Sequence, residues 1–281
     1  MIPVLNDCYG PAVRALLLVA LALAVTGCAG ADSHAEGAVV AGLYPLAWAA
    51  QRLAPDSHVV NITPPGAEPH DVELSPGDVA TVRDAVLVVY VGGGFQPALE
   101  DAVEERGGGA VDLRDGDEDP HLWLDPVRFS AAVAEVAEEL DAAGSAELLA
   151  DLEQLDAEYR RGLGDCERDV IVTTHAAFGH LARRYGLTEV SLAGRSPEAE
   201  PSPRELEELV EDVRASGATT VFAEPLVSDG VAETVAREAD LVIRTLDPVE
   251  GLSEERLDAG EDYLTVMRTN LAVLREALGC R

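Results

Sequence analysis

Residues 86–91 read VLVVYV and run straight into Gly92-Gly93-Gly94. A strand with one wet face alternates apolar and polar side chains. This run has no such alternation, so it belongs to a sheet covered on both sides. Sheets of that kind are parallel, and their strands are joined by helical crossovers. Working outward, residues 38–43, 58–62 and 110–113 read as three further strands, separated by helical patterns over 45–53, 76–85 and 97–105. From residue 127 the helical period runs to 143, breaks at Gly144 and resumes over 146–163, with Leu148, Leu149, Leu152, Leu155 and Tyr159 on one face. No strand fits between those two stretches. The second half then repeats the first, with strands at 169–173, 187–192, 219–223 and 241–246 and helices at 177–185, 203–216, 230–239 and 254–278. The predicted fold is α/β: two Rossmann-like lobes with mostly parallel four-stranded sheets, over 38–143 and 166–281, joined by a long rigid helix at 144–165.

The glycine triplet follows a strand, as a phosphate loop does. It lacks both GK[ST] and the GxGxxG spacing, which excludes nucleotide binding and leaves a turn. Composition excludes other partners. Asp and Glu number 52 against 20 basic residues, every one of them arginine, for a net charge of −32. Such a surface repels nucleic acid and anionic lipid headgroups.

Residues 15–25, ALLLVALALAV, form an apolar run of signal-peptide length, too short to cross a bilayer as a helix, and lead to Val25-Thr26-Gly27-Cys28. This resembles a bacterial lipobox, which implies removal of residues 1–27, lipidation of Cys28 and a flexible tether over 28–37. An extracytoplasmic, lipid-anchored protein is expected. Of the four cysteines, Cys8 is then removed and Cys28 acylated, leaving Cys166 and Cys280. An exported pair usually becomes a disulfide, while the alternative of two zinc-binding thiolates lacks the close CxxC spacing of such sites.

Ligands of open parallel sheets bind at the carboxyl ends of the strands. His70 follows the second predicted strand in TPPGAEPHD, His121 follows the fourth in DPHLWLDP, His175 stands two residues past Thr173, and Asp247 follows the last strand in LDP. A single histidine in a turn is more often a surface residue than a ligand. Three of the six histidines in equivalent places change that, and with one carboxylate they make a set suited to Zn²⁺. His34, His58 and His180 read as ordinary, and Glu224, in Glu224-Pro225, is the second choice of carboxylate.

The segments GLYPLAWAAQRLAP, PPGAEPHDVELSPGDV, DAVLVVYVGGGFQPALE, DPHLWLDP, VTTHAAFGHLARRYGL, GRSPEAEPSPRELEELVEDVR, VFAEPLVSD and LDP, in that order, resemble the zinc-binding, ZnuA/TroA-like members of the metal-receptor substrate-binding proteins of ABC importers. The resemblance implies a metal held between two lobes and delivered to a membrane permease driven by a cytoplasmic ATPase, by a monomer attached to the membrane only through its lipid. It implies His70, His121 and His175 as ligands of the transported Zn²⁺, with Asp247 or water as the fourth. Manganese-selective relatives place a carboxylate at the position of His175, so zinc leads and manganese is the alternative. Some relatives are labelled adhesins. Many zinc members carry a histidine-rich loop where residues 115–119 here offer only acids and a glycine. No HExxH or GxSxG motif is present, so a binding protein is expected, with a secreted zinc hydrolase as the rival reading.

Overall fold

In the computed structural model, residues 37–114, 116, 118–142, 144–194 and 202–281 are described. The signal segment 1–27, Cys28 and the tether up to residue 36 lie outside them, as do Asp115, Asp117 and residues 195–201 of the GRSPEAEPSPRELEELVEDVR segment. The first half runs β1 (Val39–Ala41), α1 (Tyr44–Leu53), β2 (Val59–Asn61), α2 (Pro76–Asp84), β3 (Leu87–Tyr90), α3 (Pro97–Arg106) and β4 (Ala110–Asp112). Helices α4 (Pro126–Glu139) and α5 (Ser145–Gly162) follow. The second half runs β5 (Val170–Thr173), α6 (Gly179–Tyr185), β6 (Thr188–Ser191), α7 (Pro203–Ser216), β7 (Thr220–Ala223), α8 (Gly230–Ala239), β8 (Val242–Thr245), α9 (Glu254–Asp258) and α10 (Tyr263–Leu278).

Both sheets are parallel throughout, in the orders β2-β1-β3-β4 and β6-β5-β7-β8. Helix starts are set locally. Proline occupies the first turn of α1, α2, α3, α4 and α7, where its missing N–H removes no helical bond, and Ser75 and Ser202 close capping boxes with Asp78 and Glu205. The single helix expected over 254–278 is two. Gly260 turns the chain at φ +81°, and Asp262 opens α10 by accepting the Thr265 N–H at 2.8 Å. The helical period continues on either side of that corner and hides it in sequence.

The halves share an apolar core. Trp48 of α1 and Phe129 of α4 both lie 4.9 Å, ring centre to ring centre, from Tyr263 of α10. Helix α5 buries Leu148, Leu152, Leu155 and Tyr159 in the same core, and the Tyr159 hydroxyl donates to Met267 O at 2.7 Å. The glycine triplet is a turn whose amides are taken by the chain's own acids: Gly92 N–H donates to Asp112 Oδ1 at 2.8 Å, and Gly93 and Gly94 N–H donate to the Glu100 carboxylate at 3.1 and 2.9 Å. A phosphate would have to displace both carboxylates. Among the described residues no helix is long and apolar enough to cross a membrane.

Cys166 and Cys280 form a disulfide across 114 residues of sequence. It fastens the end of α10 to the segment leading into β5. Closing a loop of that length in the unfolded chain is worth roughly 4 to 5 kcal/mol in the loop-entropy model. Replacing both cysteines by serine should lower the unfolding free energy by about that amount in guanidinium titrations.

Candidate metal centre

Register alone brings the first pair of site residues together. Strands β5 and β7 are neighbours with Thr173 opposite Phe222, so the residues two beyond each, His175 and Glu224, emerge side by side at the carboxyl ends. Glu224 Oε1 accepts the His175 N–H at 3.2 Å and the Thr174 hydroxyl, and its Oε2 lies 2.7 Å from His175 Nδ1. Glu224 therefore stands behind His175, and the ring's Nε2 is directed forward.

His121 opens a one-turn 3₁₀ helix, Leu122–Leu124, directly before α4. Asp119 Oδ1 accepts its N–H at 3.2 Å and lies 2.9 Å from Nδ1, again leaving Nε2 forward. His70 sits in a second 3₁₀ turn, Pro69–Asp71. Glu68 accepts its N–H at 3.2 Å, and Gln96 Nε2 donates to Pro69 O at 3.3 Å. Gln96 is itself fixed by Gly42 O and the Thr63 hydroxyl, both at 3.0 Å. A Cβ on residue 42 would lie 2.6 Å from Gln96 Oε1, so only glycine leaves room for the amide that holds the His70 turn.

The fourth member is Glu250. Its Oε1 lies 3.1 Å from His121 Nε2, 3.4 Å from His175 Nε2 and 3.6 Å from His70 Nε2, and one ligand atom from each of the four residues falls within 4.8 Å of all the others. His121 and His175 are fully buried and Glu250 is 1% exposed. None of the four forward atoms has a hydrogen-bond partner in the protein. Buried polar atoms are almost always paired, so four unpaired ones facing a common point are explained by a ligand that all of them bind. Three imidazole nitrogens and one carboxylate oxygen suit a four-coordinate Zn²⁺.

Of the four residues expected from sequence, His70, His121 and His175 converge and Asp247 does not. Asp247 Oδ2 lies 2.6 Å from Arg256 Nη1, its Oδ1 accepts the Val249 N–H at 2.7 Å, and its backbone is held on both sides by Asn270. That carboxylate is consumed in shaping its own loop. With Val249 at φ +59° and Pro248 O accepting Trp123 Nε1–H at 2.7 Å, the loop turns Glu250 back toward the histidines. Asp247 is the acid nearest the strand end. The available signal was a second acid three residues on in LDPVEG.

Charge follows contact. Burial disfavours a charged His175, but Glu224 and Glu250 outweigh it and push its pKa up to about 10. Burial likewise opposes charge on His121, and Asp119 and Glu250 more than compensate, so its pKa is raised too. Glu250 is held well below the usual carboxylate range, against its own burial, by the three histidines. Burial and then Glu250 raise Glu68 to about 8. Asp247 is raised by burial despite Arg256.

The family model described as ZnuA, zinc-uptake complex component A, periplasmic, matches residues 39–277. The zinc-binding lipoprotein AdcA of Streptococcus pneumoniae (strain ATCC BAA-255 / R6) is 32% identical over 93% of this chain, which spans 60% of the length of AdcA. The Zn(II)-bound crystal structure of the ZnuA-like domain of S. pneumoniae AdcA superimposes with a TM-score of 0.72 at 32% identity, covering 86% of this chain and 99% of that one. The high-affinity zinc uptake system protein ZnuA of Bacillus subtilis (strain 168) is 31% identical over 85% of this chain and 87% of its own. The laminin-binding protein Lmb of Streptococcus agalactiae, described as bifunctional with adhesin and metal transporting activity, superimposes with a TM-score of 0.78 at 30% identity over 86% of this chain and 99% of its own.

Two expectations come from this geometry. Glu250→Gln, which removes the forward charge, should weaken Zn²⁺ binding by about a hundredfold or more. Asp247→Asn should act only through the loop and cost about tenfold or less, both affinities being read by competition with a chromophoric chelator. The second expectation concerns protons. A metal-bound imidazole must be unprotonated at the ligating nitrogen, whereas a pKa raised to about 10 keeps the metal-free His175 ring protonated near pH 7. Metal entry must therefore release protons, and affinity should fall by about tenfold, for each proton released, with every unit by which the pH is lowered. Calorimetry in buffers of different ionisation enthalpy gives that count.

Proposed function

The chain belongs to the ZnuA family of zinc-uptake components, and from that premise we propose that it captures Zn²⁺ with His70, His121, His175 and Glu250 and passes it to an ABC-type permease driven by a cytoplasmic ATPase. The observation that carries this reading is the set of four buried, unpaired donor atoms facing one another. Three imidazoles favour Zn²⁺ over Mn²⁺, which prefers oxygen. Four protein ligands leave no open position for an activated water, and catalytic zinc requires one, so the protein binds rather than hydrolyses. The chain works outside the cytoplasm as a monomer, anchored through Cys28 after residues 1–27 are removed, with the two lobes at 38–143 and 166–281 joined over 144–165. Of the two activities ascribed to Lmb, metal transport is the one that the four converging donor atoms among the described residues support.

The test is a competition titration of the metal-free protein with Zn²⁺ and Mn²⁺ against a chromophoric chelator. One tight zinc site with manganese weaker by about a hundredfold or more is expected, and His121→Ala and His175→Ala should each weaken zinc by about a hundredfold or more while leaving the fold intact. Tight manganese with weak zinc would overturn the metal assignment, and unchanged zinc affinity in both variants would overturn the site.

A further inference from the structure

His180 is not among the four metal-facing residues, yet it is 1% exposed and both of its ring nitrogens are engaged. Arg183 Nη2 lies 2.8 Å from Nδ1, and a guanidinium can only donate, so Nδ1 is the acceptor and the ring proton sits on Nε2. Nε2–H donates to Asp119 O at 2.9 Å and stands 3.6 Å from Asp119 Oδ2. The other carboxylate oxygen of Asp119, Oδ1, faces His121 Nδ1 and accepts the His121 N–H. A Cβ on residue 179 would lie 2.7 Å from Asp119 Oδ2, so Gly179, the first residue of α6, leaves the space that this carboxylate fills. One short helix of the second half thus supplies a donor, a charge and an opening to an aspartate that precedes α4.

We propose that His180 is a positioning residue for metal binding: it fixes Asp119, and Asp119 holds His121 with its proton on Nδ1 and Nε2 toward the metal. The chain His180, Asp119, His121 crosses between the halves and governs how long the metal is retained. This rests on the zinc site proposed above. Partners of this kind behind a metal-ligating histidine are typically worth ten- to a hundredfold in affinity.

The experiment measures Zn²⁺ affinity by chelator competition and Zn²⁺ dissociation by stopped flow for the wild type, His180→Leu, His180→Gln, Gly179→Ala and His121→Ala, with the His121 Nδ1–H proton followed by NMR in the zinc-bound state. His180→Leu should weaken zinc by about tenfold or more, chiefly through faster dissociation, and should shift or broaden the Nδ1–H signal. His180→Gln, whose amide nitrogen can occupy the place of Nε2, should stay within about threefold of the wild type. Gly179→Ala keeps His180 but displaces Asp119, so it should reproduce the leucine phenotype, and it decides the matter if His180→Leu does not fold. Wild-type affinity and an unchanged Nδ1–H signal in both His180→Leu and Gly179→Ala, with His121→Ala still losing zinc, would overturn the proposal and leave the site standing. Equal zinc affinity in the leucine and glutamine variants, with both melting lower than the wild type, would reduce His180 to a structural residue. A wild type without a tight zinc site, or a His121→Ala variant that still binds, would overturn the site itself and this proposal with it.

Discussion

Holding three imidazoles and a carboxylate out of water with their forward atoms unpaired is the constraint on which the rest of this structure depends. Unpaired buried polar groups are costly, and these four are kept facing one another only because each histidine is fixed from behind. Glu224 stands behind His175 and Asp119 behind His121, while Glu68 and Gln96 hold the turn that carries His70. Each brace uses the rear nitrogen or the backbone, which leaves Nε2 free to point forward. The convergence of the three rings therefore depends as much on the outer carboxylates and amides as on the rings themselves.

The parallel topology makes this arrangement possible. Carboxyl ends of parallel strands lie together, so a residue two positions past β5 and another two past β7 become neighbours without any contact between them in sequence. Small residues then set the distances. Gly42 admits the Gln96 amide and Gly179 admits the Asp119 carboxylate, each at a separation that a methyl group would not allow. A shared core around Trp48, Phe129 and Tyr263 keeps the halves in register, and the Tyr263 hydroxyl donates to Trp123 O at 2.6 Å within the turn that follows His121. Core packing and site geometry are thus one problem, solved by the same aromatic residues.

The acidic composition acts on a different scale. A net charge of −32 attracts cations weakly and without choice of ion. Selectivity has to come from the buried site, where nitrogen donors outnumber oxygen by three to one. The same acids also serve locally: Glu100 and Asp112 occupy the amides of the glycine triplet and so close a loop that could have passed for an anion site.

The sequence by itself determined the fold class, the eight strands, most helix starts and the three histidines, because each leaves a local mark. An unbroken apolar run means a doubly covered strand, a proline or serine at a helix start fixes its first turn, and a histidine in the segment that follows a strand's carboxyl end lies where ligands gather. Only the tertiary structure decided which acid faces the three histidines, the break at Gly260 and the place of His180. Asp247 and Glu250 are both acids in one loop, and nothing local separates them. What separates them is Arg256, nine residues away, which takes the first carboxylate, and a left-handed Val249 that turns the second inward. His180 looked ordinary for the same reason. Its partner Asp119 is 61 residues distant in the chain, and a contact of that range is created by folding and leaves no trace in local pattern.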